Sequence, residues 1–183
     1  IEVYYLKELL EKNLFDTIYH EHLSYFTLKT MSRLMERMGM EVFDVDKTDT
    51  HGGSLRVFIQ KKNGHHRKTD NVKLFLNEEE KKHLSDITTY KTFSEKIERN
   101  KEALRKLLQN LKSKGKIIAG YGAPAKGNTL LNYFGIGTEL LDYIVDDSKR
   151  KQGLYTPGMH IPAVSSEKLS EKKPDYTFIL AWN

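Results

Sequence analysis

Apolar residues in the first third of the chain change their spacing several times. Leu6, Leu9 and Leu10 recur at helical intervals and stop near Asn13, which predicts a short first helix. Leu28, Met31, Leu34, Met35 and Met38 form a second helical stripe. Thr27 stands before it as an N-cap, with Phe26 and Met31 placed as a hydrophobic staple, and Gly39 marks its end. Met40 to Asp46 alternates as a strand. After Thr50-His51-Gly52-Gly53-Ser54, Leu55, Val57 and Ile59 alternate again, with Phe58 on the opposite face. Between the two helices, residues 15–22 have no helical period and are predicted to be a strand running into a loop.

A polar interval from Lys61 to Thr69 reads as a boundary loop. Beyond it the period of 3.6 returns over residues 86–113, with Phe93, Ile97, Leu104, Leu107, Leu108 and Leu111 on the expected buried face and Gly115 at the end. Lys96, Arg99, Lys101, Arg105 and Lys106 interleave with Glu95, Glu98 and Glu102, the pattern of a solvated face. The last section alternates strand and helix: a strand over 116–120, a glycine-rich turn over 121–127, a helix from Asn128 to Phe134, a strand over 140–145 closed by Asp146 and Asp147, and a strand over 176–180 after Pro174. That order implies a right-handed parallel crossover and a Rossmann-like half.

Composition narrows the classes. The 183 residues carry 30 Lys+Arg against 25 Asp+Glu, for a net charge of +5, and the signs are mixed along the chain. This is no concentrated basic tract, so nucleic acid is not an expected partner. No apolar run approaches a membrane span, and the first residues lack the layout of a signal peptide. With no cysteine, disulfides, thiolate zinc sites and cysteine nucleophiles fall away. A cytoplasmic protein is the expectation. The chain opens on Ile1 in mid-pattern and ends at Asn183 just after an apolar strand, so it reads as a piece of a longer polypeptide.

Three stretches carry candidate chemistry. In the first, Gly120, Gly122 and Gly127 lie between a strand and a helix start, where backbone N–H groups and the helix dipole converge on a point suited to a phosphate, and Lys126 adds a charge. The turn is neither a full dinucleotide fingerprint nor a Walker A loop, although Asp146 and Asp147 stand where a ribose-reading acid would. A tight turn with no ligand explains it as well. The second stretch, Tyr19-His20-Glu21-His22, offers imidazoles, which titrate near neutrality, and a phenol able to donate to an oxyanion. In an extended segment Glu21 points away from both histidines, which disfavours a metal cluster, and no metal is expected; a surface loop is the plain alternative. The third, Thr50 to Ser54, permits a close approach of backbone to a ligand or simply makes a hairpin bend. His65, His66 and His83 lie in charged stretches without a role, and Trp182 is expected in the core.

The blocks Phe15–Phe26, Thr50–Arg56, Gly120–Thr129, Lys151-Gln152-Gly153 with Pro157–Pro162, and Leu180–Asn183 together resemble the S-adenosylmethionine-dependent sugar C-methyltransferase family. The resemblance runs in order over nearly the whole chain. It implies an α/β protein: residues 1–62 as the closing part of a class I methyltransferase sheet, residues 63–113 as linker and long helix, and residues 114–183 as a Rossmann-like nucleotide-sugar-binding domain. It further implies a keto-deoxysugar substrate on a nucleoside diphosphate, expected to be dTDP. His22 then becomes the base that takes the proton beside the carbonyl, with Tyr19 and Glu21 as its catalytic companions. Gly122, Lys126 and Asn128 are expected at the diphosphate, and Arg56 and His51 as further substrate contacts. The family's zinc module and its glycine-rich loop for S-adenosylmethionine have no counterpart in the 183 residues, so the isolated chain is expected to lack methyl transfer of its own. The competing class is a nucleotide or nucleotide-sugar binding module without catalysis. A nicotinamide-dependent oxidoreductase is disfavoured by the imperfect fingerprint.

Overall fold

The computed structural model describes residues 1–182. They form two compact units, one from residues 1–15 and 22–96, the other from residues 16–21 and from 97 onward.

In the first unit, β1 (Glu2–Tyr4), β2 (Met40–Thr48) and β3 (Ser54–Lys61) make an antiparallel sheet in the order β1-β3-β2. Val45 faces Val57 across the register, and a bulge between Val42 and Asp44 lets Val42 and Val45 both turn inward despite a spacing that strict alternation forbids. Beside the sheet lie α1 (Leu6–Lys12), α2 (Leu28–Arg37) and α3 (Asp70–Lys81). Leu28, Met31 and Met35 of α2 meet Val42, Val45, Leu55 and Val57 in one core that also takes in Val72 of α3. At the start of α2, the Thr27 hydroxyl accepts the Thr30 N–H at 3.1 Å while Thr30 Oγ1 accepts the Thr27 N–H at 3.0 Å. The predicted cap is therefore present in reciprocal form. A second cap comes from α3. The buried Glu79 carboxylate accepts the amides of Leu28 at 2.5 Å and Lys29 at 3.0 Å.

Two expectations fail in this stretch of the chain. Residues 15–17 form a 3-10 turn rather than a strand. The stretch 70–81, left between a loop and the long helix in the sequence, is a helix that completes the core.

The second unit is a four-stranded parallel sheet in the order β6-β5-β4-β7: β4 (Ile118–Tyr121), β5 (Tyr143–Val145), β6 (Ala163–Val164) and β7 (Tyr176–Ile179). The crossover from β4 to β5 runs through α5 (Ala125–Phe134), in parallel as the sequence implied. The loop after β5 and the short helix α6 (Glu167–Lys172), on either side of β6, complete the unit. Helix α4 (Ile87–Ser113) buries Ile97 and Leu108, but Leu107 is 53 % exposed, so the predicted buried face is narrower than its leucines suggest. Arg105 is not on a merely solvated face. Its guanidinium donates to the carbonyls of Phe134, at 2.9 Å, and Gly135, where a cation complements the negative end of α5.

Candidate functional site

Sheet growth in the second unit starts at β4, passes through β5 to β6, and then resumes on the other side with β7. The crevice at the carboxyl ends of β4 and β7 is where sheets of this kind take ligands. The glycine-rich turn leaves β4 at that point. Gly122 has φ +83°, and a Cβ there would lie 2.5 Å from the Ala181 Cβ, so only glycine lets the turn pass against the segment after β7. The Gly122 N–H donates to the Val145 carbonyl at 2.8 Å and the Ala123 N–H to Asp146 Oδ2 at 2.8 Å. These amides are used inside the fold, contrary to the expectation that the turn presents them to a phosphate. Pro124 then takes the N-cap position, and α5 begins at Ala125, three residues before the predicted start. No side chain caps it, so the donors left at the site are those of its first turn.

Lys126 is the second residue of that turn. It is only 7 % exposed, and among the described residues its Nζ has no hydrogen-bond partner. The ammonium stands 5.0 Å from the Trp182 ring centroid, in cation–π range. Asp16 completes the group: its buried carboxylate accepts the Trp182 indole N–H at 2.6 Å. Burial pushes the Lys126 ammonium below its usual value, against the pull of Asp16. Burial likewise pushes Asp16 above the usual carboxylate range, against the indole donor and the Lys126 charge. Trp182 is therefore not a core residue. It is 41 % exposed and lies over the lysine. Neither Trp182 nor Asp16 was assigned to the site by sequence; the one signal for Trp182 is its place three residues beyond a strand flanking the crevice.

Asp146 has another task than reading a ribose. It accepts the amides of Ala123 and Ser148, at 2.8 and 2.9 Å, and the Lys151 ammonium at 3.0 Å. Burial alone would raise it, but these donors hold it below the usual carboxylate value. It ties the glycine-rich turn to the loop after β5. Asp147 accepts the Ser166 hydroxyl at 2.6 Å.

The remaining candidates divide between the units. Tyr19 and Glu21 lie in the segment that groups with the second unit, where the Tyr19 hydroxyl donates to Glu21 Oε2 at 3.1 Å. Burial, then the hydrogen bond to Glu21 and its charge, raise the phenol above its usual value. His22 resumes the first unit, its ring edge-on to Tyr4 with centroids 4.5 Å apart; His51 packs on the same tyrosine at 5.4 Å. Two candidates 29 positions apart in sequence thus share one aromatic surface. Protein contacts crowd the Gly52-Gly53 bend: a Cβ at Gly53 would lie 2.7 Å from Glu8 Cβ, and Lys12 donates to the Gly52 carbonyl at 2.6 Å. Arg56 is engaged by Glu2, its cross-strand partner, through Nε at 2.9 Å and the guanidinium nitrogen Nη2 at 2.8 Å. Among the described residues, no group of three His, Asp or Glu is placed to hold a metal ion, and no helix is long and apolar enough to cross a membrane.

Fold and site define an α/β protein with an anion-suited helix terminus at the switch point of a parallel sheet. Comparison with known proteins gives the family. Residues 49–183 match the family described as the C-methyltransferase C-terminal domain. The whole chain aligns with C-methyltransferase NovU from Streptomyces niveus at 41 % identity, spanning 44 % of that protein's length. The chain belongs to this C-methyltransferase family, as a C-terminal portion.

Proposed function

We propose that the chain is the C-terminal part of an S-adenosylmethionine-dependent C-methyltransferase whose substrate is a dTDP-linked keto-deoxysugar, with a Rossmann-like unit holding the nucleotide. Lys126 carries this reading. A buried ammonium without a hydrogen bond is costly, and an anion completes it. The lysine stands in the first turn of an uncapped helix, whose amides and dipole favour the same charge. A diphosphate satisfies both, with Gly122 shaping the approach and Asn128 beside it.

A sugar carbon becomes a nucleophile only after loss of a proton next to a carbonyl. In this reading a ring nitrogen of His22 takes that proton, the Tyr19 hydroxyl donates to the developing enolate oxygen, and Glu21 orients the hydroxyl. A preorganised donor at an oxyanion contributes about 3 kcal/mol. His51, on the same tyrosine as His22, is a sugar contact. S-adenosylmethionine would supply the methyl group; Asp146, weighed above as the acid that reads a dinucleotide's ribose, is engaged by Ala123, Ser148 and Lys151.

Calorimetric titration of the 183-residue chain with dTDP, and separately with S-adenosylmethionine, tests the nucleotide role. Binding of dTDP that Lys126→Ala weakens tenfold or more supports it, and a chain indifferent to dTDP ends it. In the full-length enzyme, wild-type methylation by His22→Gln would refute the base assignment.

A further inference from the structure

Alternation along β1 decides which way its residues face. Val3 and Tyr5 both pack in the core of the first unit, so Tyr4 between them turns to the opposite side of the sheet. It is buried there all the same. Three rings from elsewhere in the unit pack around it: His22 at 4.5 Å between centroids and nearly perpendicular, His51 at 5.4 Å and tilted, and Tyr25 at 6.4 Å. All three separations lie in the range where ring pairs attract beyond simple burial.

The two histidines sit on backbones of different kinds. Residues 18–25 form neither helix nor strand, and Glu21, Leu23 and Ser24 around His22 are exposed, so the local chain does little to fix that ring. His51 stands in the turn between β2 and β3 with φ +55°, a left-handed backbone that costs a residue with a side chain and that gathers at functional sites. The Gly53 N–H and the Ser54 hydroxyl both donate to the Thr50 carbonyl at 3.0 Å and hold this turn. Tyr4 is fixed by the sheet, opposite Ser54 in the register of β1 with β3.

We propose that Tyr4 is a positioning residue: its ring, held by β1, aims the His22 imidazole and seats His51 on the same support, so that both imidazoles address one ligand. The inference rests on the reading of His22 as the base. Proton removal from carbon needs the ring nitrogen within hydrogen-bond reach of the C–H, and an imidazole free to turn is there only part of the time. In that step the C–H bond breaks, the proton goes to a ring nitrogen of His22 and the electron pair to the carbonyl oxygen. Tyr4 takes neither and acts through the histidines.

Solvent-proton exchange in the full-length enzyme isolates this step. With a dTDP-linked 4-keto-6-deoxyhexose in D2O, and S-adenosylhomocysteine in place of the methyl donor, proton NMR follows loss of the hydrogen next to the carbonyl. Tyr4→Met, which fills most of the space without a ring, is expected to slow this exchange and kcat for methylation about ten- to a hundredfold, with KM within about twofold of wild type. Tyr4→Phe, which keeps the ring, is expected to stay within about twofold of wild type in both rates. Wild-type rates in Tyr4→Met overturn the proposal, and so does an equal loss in Tyr4→Phe. A role in packing alone would lower only the folded fraction, read by circular dichroism, and would overturn it too. Should Tyr4→Met not fold, the wild-type 183-residue chain decides: nuclear Overhauser contacts from the Tyr4 ring to the ring protons of both His22 and His51 are expected, and their absence overturns the proposal. Wild-type exchange in His22→Gln removes the base reading and this inference with it, whereas an inert His22→Gln beside an unimpaired Tyr4→Met removes this inference alone.

Discussion

The carboxylate of Asp16 accepts the indole N–H of Trp182 at 2.6 Å across 166 positions of sequence. Through this bond the segment 16–21, flanked on both sides by the first unit, belongs to the second, and Tyr19 and Glu21 go with it. The same carboxylate and the Lys126 ammonium act on each other through their charges. One buried acid thus ties an aromatic ring to the start of the candidate catalytic segment.

Asp16→Ala leaves the indole donor without its acceptor and is expected to destabilise the second unit by about 1–3 kcal/mol. Trp182 is the chain's single tryptophan, so urea unfolding followed by its fluorescence reads that unit directly. Asp16→Asn, which keeps an acceptor, should recover part of the loss. An unchanged unfolding midpoint for the alanine variant would show that the bond contributes nothing.

Lys126→Met separates stability from binding. Methionine fills the same space without a charge to bury, so the unfolding free energy is expected to stay within about 1 kcal/mol of wild type while dTDP binding disappears. A loss of several kcal/mol would instead make Lys126 the structural counter-ion of Asp16.

Gly122→Ala must place a Cβ 2.5 Å from that of Ala181 at a φ of +83°. The left-handed backbone alone costs a side chain about 1–2 kcal/mol, and the clash adds to it. The same Trp182 fluorescence measures the loss. A variant as stable as wild type would mean that the turn relaxes freely.

Two carboxylates give opposite pH dependence. Burial raises Glu79 above 4.5, against the amides of Lys29 and Leu28, so its contribution to the first unit is complete below that value and is lost as pH rises through the raised one. Asp146 lies below 3.8, so its contribution to the second unit is present above that value and is lost as pH falls through the lowered one. Glu79→Gln should flatten the decline on the alkaline side, and Asp146→Asn the decline on the acid side, in stability profiles taken across the acid range. Superimposable profiles for wild type and either variant would contradict the direction assigned to that group.

Local signals were readable wherever one residue type forces one conformation. Thr27 before an apolar stripe, the alternation on either side of the Gly52-Gly53 bend, and the strand–turn–helix around Gly122 each appear in the structure as the sequence implies. What stayed hidden depends on partners far away in the chain. β1 is a strand because it pairs with β3, over fifty residues on, and β6 has only two residues. In α3, Val72, Phe75 and Leu76 are too few among the charges to announce a buried face. The site divides in the same way. The phosphate-suited turn is visible in the glycines, but the use of its first two amides by Val145 and Asp146, the burial of Lys126 and its pairing with Trp182 are products of packing.

Glu79 sets a limit on how far this chain can be trimmed. Cutting away residues 70–81 as if they were tether would uncap two amides at the start of α2 and strip Val72 from the first unit's interior. A minimal fragment for crystallisation or labelling therefore has to run past α3, and one ended at residue 62 would present to its neighbours the part of the core that Val72, Phe75 and Leu76 cover.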